Sequence, residues 1–224
     1  MKTDRHFLFF TGVLAPGLLL FLALSATGSA APMDKYVNHY KGVAISEPSV
    51  EKLSQYNDHI YYFTSFSFFK PRHKVSPDFM KALILAESGS DPRALSNKDA
   101  RGLTQILPET GKRAARELYN QKMEFTYVSR EKLKDLQPDD LFDPATNILL
   151  ACYLISKYNH DYNGRLELVV AAWNAGSNSI TDDLQPPDYQ ETLNLIGKIN
   201  GYFIYLLDKK KMIGPEIAVR QNLH

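Results

Sequence analysis

The chain has 224 residues, with 26 Lys and Arg against 25 Asp and Glu, a formal net charge of +1 and one cysteine. That balance offers no basic excess or stripe for a nucleic-acid partner, and a single thiol excludes an internal disulfide. The fold is therefore held by its core, with Cys152, in the apolar run 149–155, reading as a small buried hydrophobe.

Residues 1–30 carry Lys2 and Arg5, then an almost wholly apolar stretch from Phe7 to Leu24, then small residues from Thr27 to Ala31. A charged start, an apolar run and a small-residue exit describe a secretory signal. The run also has the length of an uncleaved anchor, since spanning a bilayer takes about 20 apolar residues. Pro16-Gly17 interrupts a continuous helix, so cleavage is the favoured reading. The expectation is an exported protein of the periplasm or cell envelope, touching the membrane only through an uncleaved N-terminal segment. Past residue 30 acidic and basic residues are equal in number, in a length that suits one sizeable domain.

Residues 34–70 hold nine aromatics. The cluster from Tyr61 to Phe69 fits a helix packed on the main domain, because aromatics gain most from burial. Its Ser/Phe alternation also permits a short strand. We take 31–74 as a packing segment and 75–212 as the main domain, with 213–224 as a tail. Ser76-Pro77-Asp78 predicts a helix start, by cap, first-turn proline and acid at the positive end. Phe79, Met80, Leu83 and Ile84 then recur at helical spacing up to Glu87, and Gly89 stops the helix. Further helices are predicted from Pro108 through Leu118, after Asp143-Pro144 to Tyr158, from Leu166 to Gly176, and through Leu193, Ile196, Ile199, Phe203 and Leu207. The fold class is mainly α.

Glu87 follows Phe79 and Leu83 at i, i+4 steps, so it extends an apolar stripe where a carboxylate is costly. It also sits in the last turn, where the helix dipole disfavours negative charge. Both effects push a carboxyl pKa upward, which suits a general acid. A helix-end Glu that bends into solvent is the bland alternative.

The chain then carries Ala82 to Gly89, Asp91-Pro92-Arg93-Ala94-Leu95-Ser96, Gly102-Leu103-Thr104-Gln105, Leu107 to Gly111, Asp143 to Ile148, Ala171 to Gly176, and Glu191-Thr192. This ordered series, over about residues 75–212, resembles the catalytic domain of lytic transglycosylases of the soluble type. The resemblance implies a lysozyme-like helical domain with a groove for a peptidoglycan glycan strand, and no cofactor. It implies that Glu87 is the single catalytic acid/base, that Ser88 holds substrate or shapes the site, that Gln105 contacts sugar, and that Trp173 and Asn174 stand beside the cleft. For Gln105 the alternative is a loop amide capping backbone groups; for Trp173, a core aromatic. The implied reaction protonates the bond between N-acetylmuramic acid and N-acetylglucosamine. The muramoyl C6 hydroxyl then closes onto C1, giving a 1,6-anhydro product.

Three positions depart from the family pattern. Thr104 replaces a methionine, which reads as lost bulk in the groove lining. Asp99 replaces a glycine, and Asp tolerates left-handed backbone better than most residues. Leu195 stands where a tyrosine hydroxyl is expected to reach the catalytic Glu, and Leu has no polar group to offer. Two other functions fit the same residues. A hydrolytic muramidase needs a second carboxylate, for which Asp91, Asp99 and Glu109 are the nearby candidates; a non-catalytic glycan binder would be consistent with Leu195. The histidines show no metal-ligand spacing, so no metal site is expected.

Overall fold

The computed structural model describes residues 31–213; the expected signal segment 1–30 and residues 214–224 of the expected tail lie outside the described residues. Nine α-helices follow one another among them: α1 (Ala31–His39), α2 (Glu47–Ser54), α3 (Asn57–Thr64), α4 (Pro77–Ser88), α5 (Pro108–Asn120), α6 (Arg130–Lys134), α7 (Pro144–Asp161), α8 (Leu166–Ala175) and α9 (Gln190–Ile213). The described residues contain no β-strand. Isolated bridges pair Arg101 with Leu95 and with Ile106.

The helix ends follow local chemistry. α4 begins after Ser76 in extended conformation, yet the Ser76 hydroxyl makes no cap bond, so Pro77 carries the start. It stops at Gly89, left-handed at φ 60°. α7 has a side-chain cap: the Asp143 carboxylate accepts from the Ala145 N–H at 3.4 Å and from the Thr146 hydroxyl at 2.6 Å. Nearly every side chain of α7 from Ala145 to Ser156 is buried. A helix apolar on all sides belongs in the centre of a domain, and α3, α5 and α8 pack around it. Cys152 lies within it, fully buried, and burial pushes its thiol pKa far up.

The aromatic segment is helical to Thr64 and irregular beyond, without the strand its alternation permitted. Phe63 and Phe68 are buried. Phe66 meets Phe125 edge-on at 5.2 Å, and Phe69 stacks on His160 at 5.6 Å. These rings are core.

α1 crosses α9 at two glycines one turn apart. A Cβ on Gly197 would stand 2.6 Å from the Tyr36 carbonyl oxygen, and one on Gly201 2.6 Å from that of Tyr40. The Tyr40 hydroxyl completes the contact by donating to Asn194 Oδ1 at 3.1 Å. α9 therefore packs on α1 as well as on α4 and α8, which the sequence pattern of its apolar residues does not reveal.

Candidate active site

The site begins with a loop between α4 and α5 that one amide organises. Asn147, on the first turns of α7, is fully buried. Its Oδ1 accepts from the Thr104 N–H at 2.9 Å and the Thr104 hydroxyl at 2.7 Å. Its Nδ2 donates to the carbonyls of Arg101 at 3.0 Å and Leu141 at 2.9 Å. All four bonding positions of the amide are thus filled. Gly102 lets the loop come this close, since a Cβ there would stand 2.1 Å from the Leu141 carbonyl oxygen, and its φ is +75°. Gln105 is left-handed at φ 53°, and its Nε2 donates to the carbonyls of Gly102 at 2.9 Å and Ala94 at 3.2 Å.

Glu87 closes α4 beside this loop. The Trp173 indole N–H, from the last turn of α8, donates to its Oε1 at 2.8 Å. Lys198 of α9 reaches the carbonyl of the preceding residue, Ala86, at 2.6 Å. That ammonium caps an orphan carbonyl at the negative end of α4. Burial raises the Glu87 pKa from 4.5 to about 7, against the lowering effects of the Trp173 bond and the Lys198 charge, with Glu191 adding to the rise. Burial dominates, as it does for carboxyls in apolar surroundings. At neutral pH the group is poised between its acid and its base.

One cavity brings together Glu87, Gln105, Trp173 and Asn174 of the expected site residues. Gln105 combines both readings, lining the cavity while its amide nitrogen caps backbone carbonyls. Asn174 is held by the Thr192 hydroxyl, which donates to its Oδ1 at 2.7 Å. Ser88 is turned elsewhere. Its hydroxyl donates to the Leu103 carbonyl at 2.7 Å, tying α4 to the loop, and it does not line the cavity. Thr104 is fully buried against Asn147, so its hydroxyl belongs to the loop's support and not to the groove lining. Asp99 takes the left-handed conformation its position required, at φ 65°.

Leu195 is buried in the core, and the donor that reaches Glu87 is the Trp173 indole, not a hydroxyl. Asp91, Asp99 and Glu109 do not line the cavity; Asp99 accepts from Arg101 at 2.9 Å and Glu109 pairs with Lys112. The second carboxylate of the cavity is Glu191, in an ion pair with Lys98 at 3.0 Å. Sequence reasoning missed Asn147, Lys198 and Lys98. Asn147 had left a signal, a polar residue one and two turns before Leu150, Ala151 and Leu154 on an apolar helix. Lys98 and Lys198 act across long chain separations and left none.

Among the described residues no group of three His, Cys, Asp or Glu is placed to hold a metal ion. The family described as "Transglycosylase SLT domain" matches residues 66–196. A Haemophilus influenzae protein named "Putative soluble lytic murein transglycosylase" is 34% identical over 106 residues, covering 47% of this chain and 16% of that protein. The 70 kDa soluble lytic transglycosylase of Escherichia coli superposes with a TM-score of 0.54 at 21% identity, over 67% of this chain and 24% of its own. An inactive glutamate-to-glutamine mutant of lytic transglycosylase Slt from Pseudomonas aeruginosa superposes with a TM-score of 0.51 at 20% identity, over the same 67% and 24%. The chain thus spans only a small part of the length of each. The shared fold is the lysozyme-like helical one.

Proposed function

The chain belongs to the transglycosylase SLT domain family, and from that membership we propose that it is a peptidoglycan lytic transglycosylase with Glu87 as its single general acid/base. The observation that carries this reading is a partly buried carboxyl, held by an indole N–H in a polar cavity, with its pKa raised to about 7. That the Pseudomonas aeruginosa relative is inactive with a glutamate changed to glutamine supports one essential glutamate.

In the reaction, protonated Glu87 gives its proton to the oxygen linking N-acetylmuramic acid to N-acetylglucosamine. The C1–O bond breaks and positive charge develops on the muramoyl ring. Glu87, now a carboxylate stabilised by the Trp173 N–H, takes the proton of the C6 hydroxyl as that oxygen closes onto C1. The 1,6-anhydro product forms without water, and Glu87 ends protonated as it began. Gln105 and Asn174 contact the sugars, and Ser88 keeps the loop against α4. Residues 75–212 form the catalytic unit, with 31–74 packed on it. The place of action is the cell envelope, where the glycan strand is.

A hydrolytic muramidase is the second reading, because Glu191 puts another carboxylate in the cavity. Its ion pair with Lys98 and its exposure suit a binding role better than that of a base. Mass spectrometry of purified peptidoglycan digested by residues 31–224, beside the Glu87→Gln variant, decides between them. Anhydromuramoyl ends that vanish in the variant are expected. Reducing ends would mean hydrolysis and point to Glu191. Retained binding without any product would make the protein a glycan binder.

A further inference from the structure

Among the described residues, Lys98 is the only cation lining the cavity, which it shares with the two carboxylates Glu87 and Glu191. Lys198 serves Glu87 from behind, through the Ala86 carbonyl, and does not line it. The Lys98 ammonium donates to both oxygens of Glu191, at 3.0 and 3.4 Å, and so joins the loop to the start of α9. The two side chains are 71% and 69% exposed. An ion pair so exposed is weak and is screened by salt.

The backbone beneath Lys98 is fixed, in contrast. The Ser96 hydroxyl oxygen accepts from the N–H groups of Lys98 at 3.2 Å and Ala100 at 3.0 Å. Asp99 is held in left-handed conformation by Arg101, which also reaches Asp139 at 2.6 Å. The stem is therefore placed and the charged head is exchangeable. Glu191, once released, still stands in the first turn of α9, where the helix dipole favours an anion.

We infer that Lys98 is a specificity-determining residue that exchanges Glu191 for a carboxylate of the substrate, so that the cleft prefers glycan strands bearing carboxylate groups over neutral ones. The inference rests on the proposed glycan-cleaving function and names the chemistry that selects its substrate. The ligand carboxylate takes over charge-assisted bonds of the same kind as those Glu191 makes, so the exchange leaves neither Lys98 nor the ligand unpaired.

The test measures binding to protein carrying Glu87→Gln, so that no ligand is consumed. Calorimetry compares an oligosaccharide alternating N-acetylglucosamine with N-acetylmuramic acid, its lactyl carboxylates free, with an N-acetylglucosamine oligomer of equal length. The carboxylated ligand binds more tightly, and Lys98→Gln lowers that preference by roughly tenfold. Lys98→Arg retains the preference, and added salt erodes it. A preference that Lys98→Gln leaves unchanged, or an equal loss on both ligands, overturns the inference. Binding of neither oligosaccharide before Lys98 is altered would instead sink the glycan-cleaving reading, and the inference with it.

Discussion

At Glu87, burial and three neighbours act on one carboxyl. Burial and Glu191 raise its pKa, while the Trp173 N–H and the Lys198 ammonium lower it. The Glu87→Gln variant keeps the shape and removes the proton; lytic activity falls by roughly 10²- to 10⁴-fold, the share of a general acid/base. The same variant is more stable than the parent above pH 7. A carboxyl whose folded pKa is raised loses stability as pH rises from 4.5 toward 7, since the unfolded chain ionises first. Gln escapes that loss, by on the order of 1–2 kcal/mol once the partial exposure of the side chain is allowed for. Thermal melts at pH 8 and pH 5 check it, the gain being expected only at the higher pH.

Trp173→Phe removes the indole N–H and keeps a ring. The carboxylate of Glu87 loses its donor, so its pKa rises further and the alkaline limb of the activity profile moves to higher pH. An unmoved limb would mean that the 2.8 Å bond is not what holds the carboxylate. An indole nitrogen only donates, so it favours the carboxylate over the protonated acid, whereas a phenol can also accept from the acid. With Leu195 in the core, Trp173 is the side chain that donates to Glu87 among the described residues.

Among the elements, α7 and α9 set the geometry by opposite means. α7 holds the loop through Asn147, whose four bonds no apolar side chain can replace. Asn147→Ala strands the Thr104 N–H and the Leu141 carbonyl in a buried site, at a cost of about 3 kcal/mol. Denaturant unfolding reads that loss, and activity falls with it because Gln105 depends on the same loop. α9 is held by absence of side chains. Gly→Ala normally favours a helix by up to about 1 kcal/mol, but at Gly201 the new methyl meets the Tyr40 carbonyl at 2.6 Å. Overpacking wins, and Gly201→Ala lowers stability by roughly 1–3 kcal/mol, visible as a lower melting temperature. A gain there would show that α1 shifts freely on α9.

For the molecule as a whole, the pH response has a second contributor far from the cleft. His73 is buried at the junction of the aromatic segment and α7. Burial lowers its pKa, with Arg72, His160 and Lys70 adding to the effect. The unfolded chain therefore takes up the proton first, and stability is lost as pH falls below 6.5. Melting temperatures recorded from pH 7.5 to 5 should fall on acidification, and the fall should shrink in His73→Gln. The Arg72 Nε donates to His73 Nε2 at 3.1 Å, a bond that protonation of that nitrogen would break.

The sequence by itself determined α4, α5, α7, α8 and α9, because proline, cap and stop residues act within one turn and apolar period within one helix. It also put Glu87 on an apolar stripe and carried the order of motifs that marks the family. The short helices α1, α2 and α6, of nine, eight and five residues, escaped it, because so few turns give an apolar period little room to repeat. Only the tertiary structure decided which polar groups meet. The Trp173 bond to Glu87, the Asn147 support of the loop, Lys198 behind the site and the Lys98–Glu191 pair each join residues 43 to 112 positions apart. A hydrogen bond or ion pair depends on distance in space, and local pattern carries no record of that.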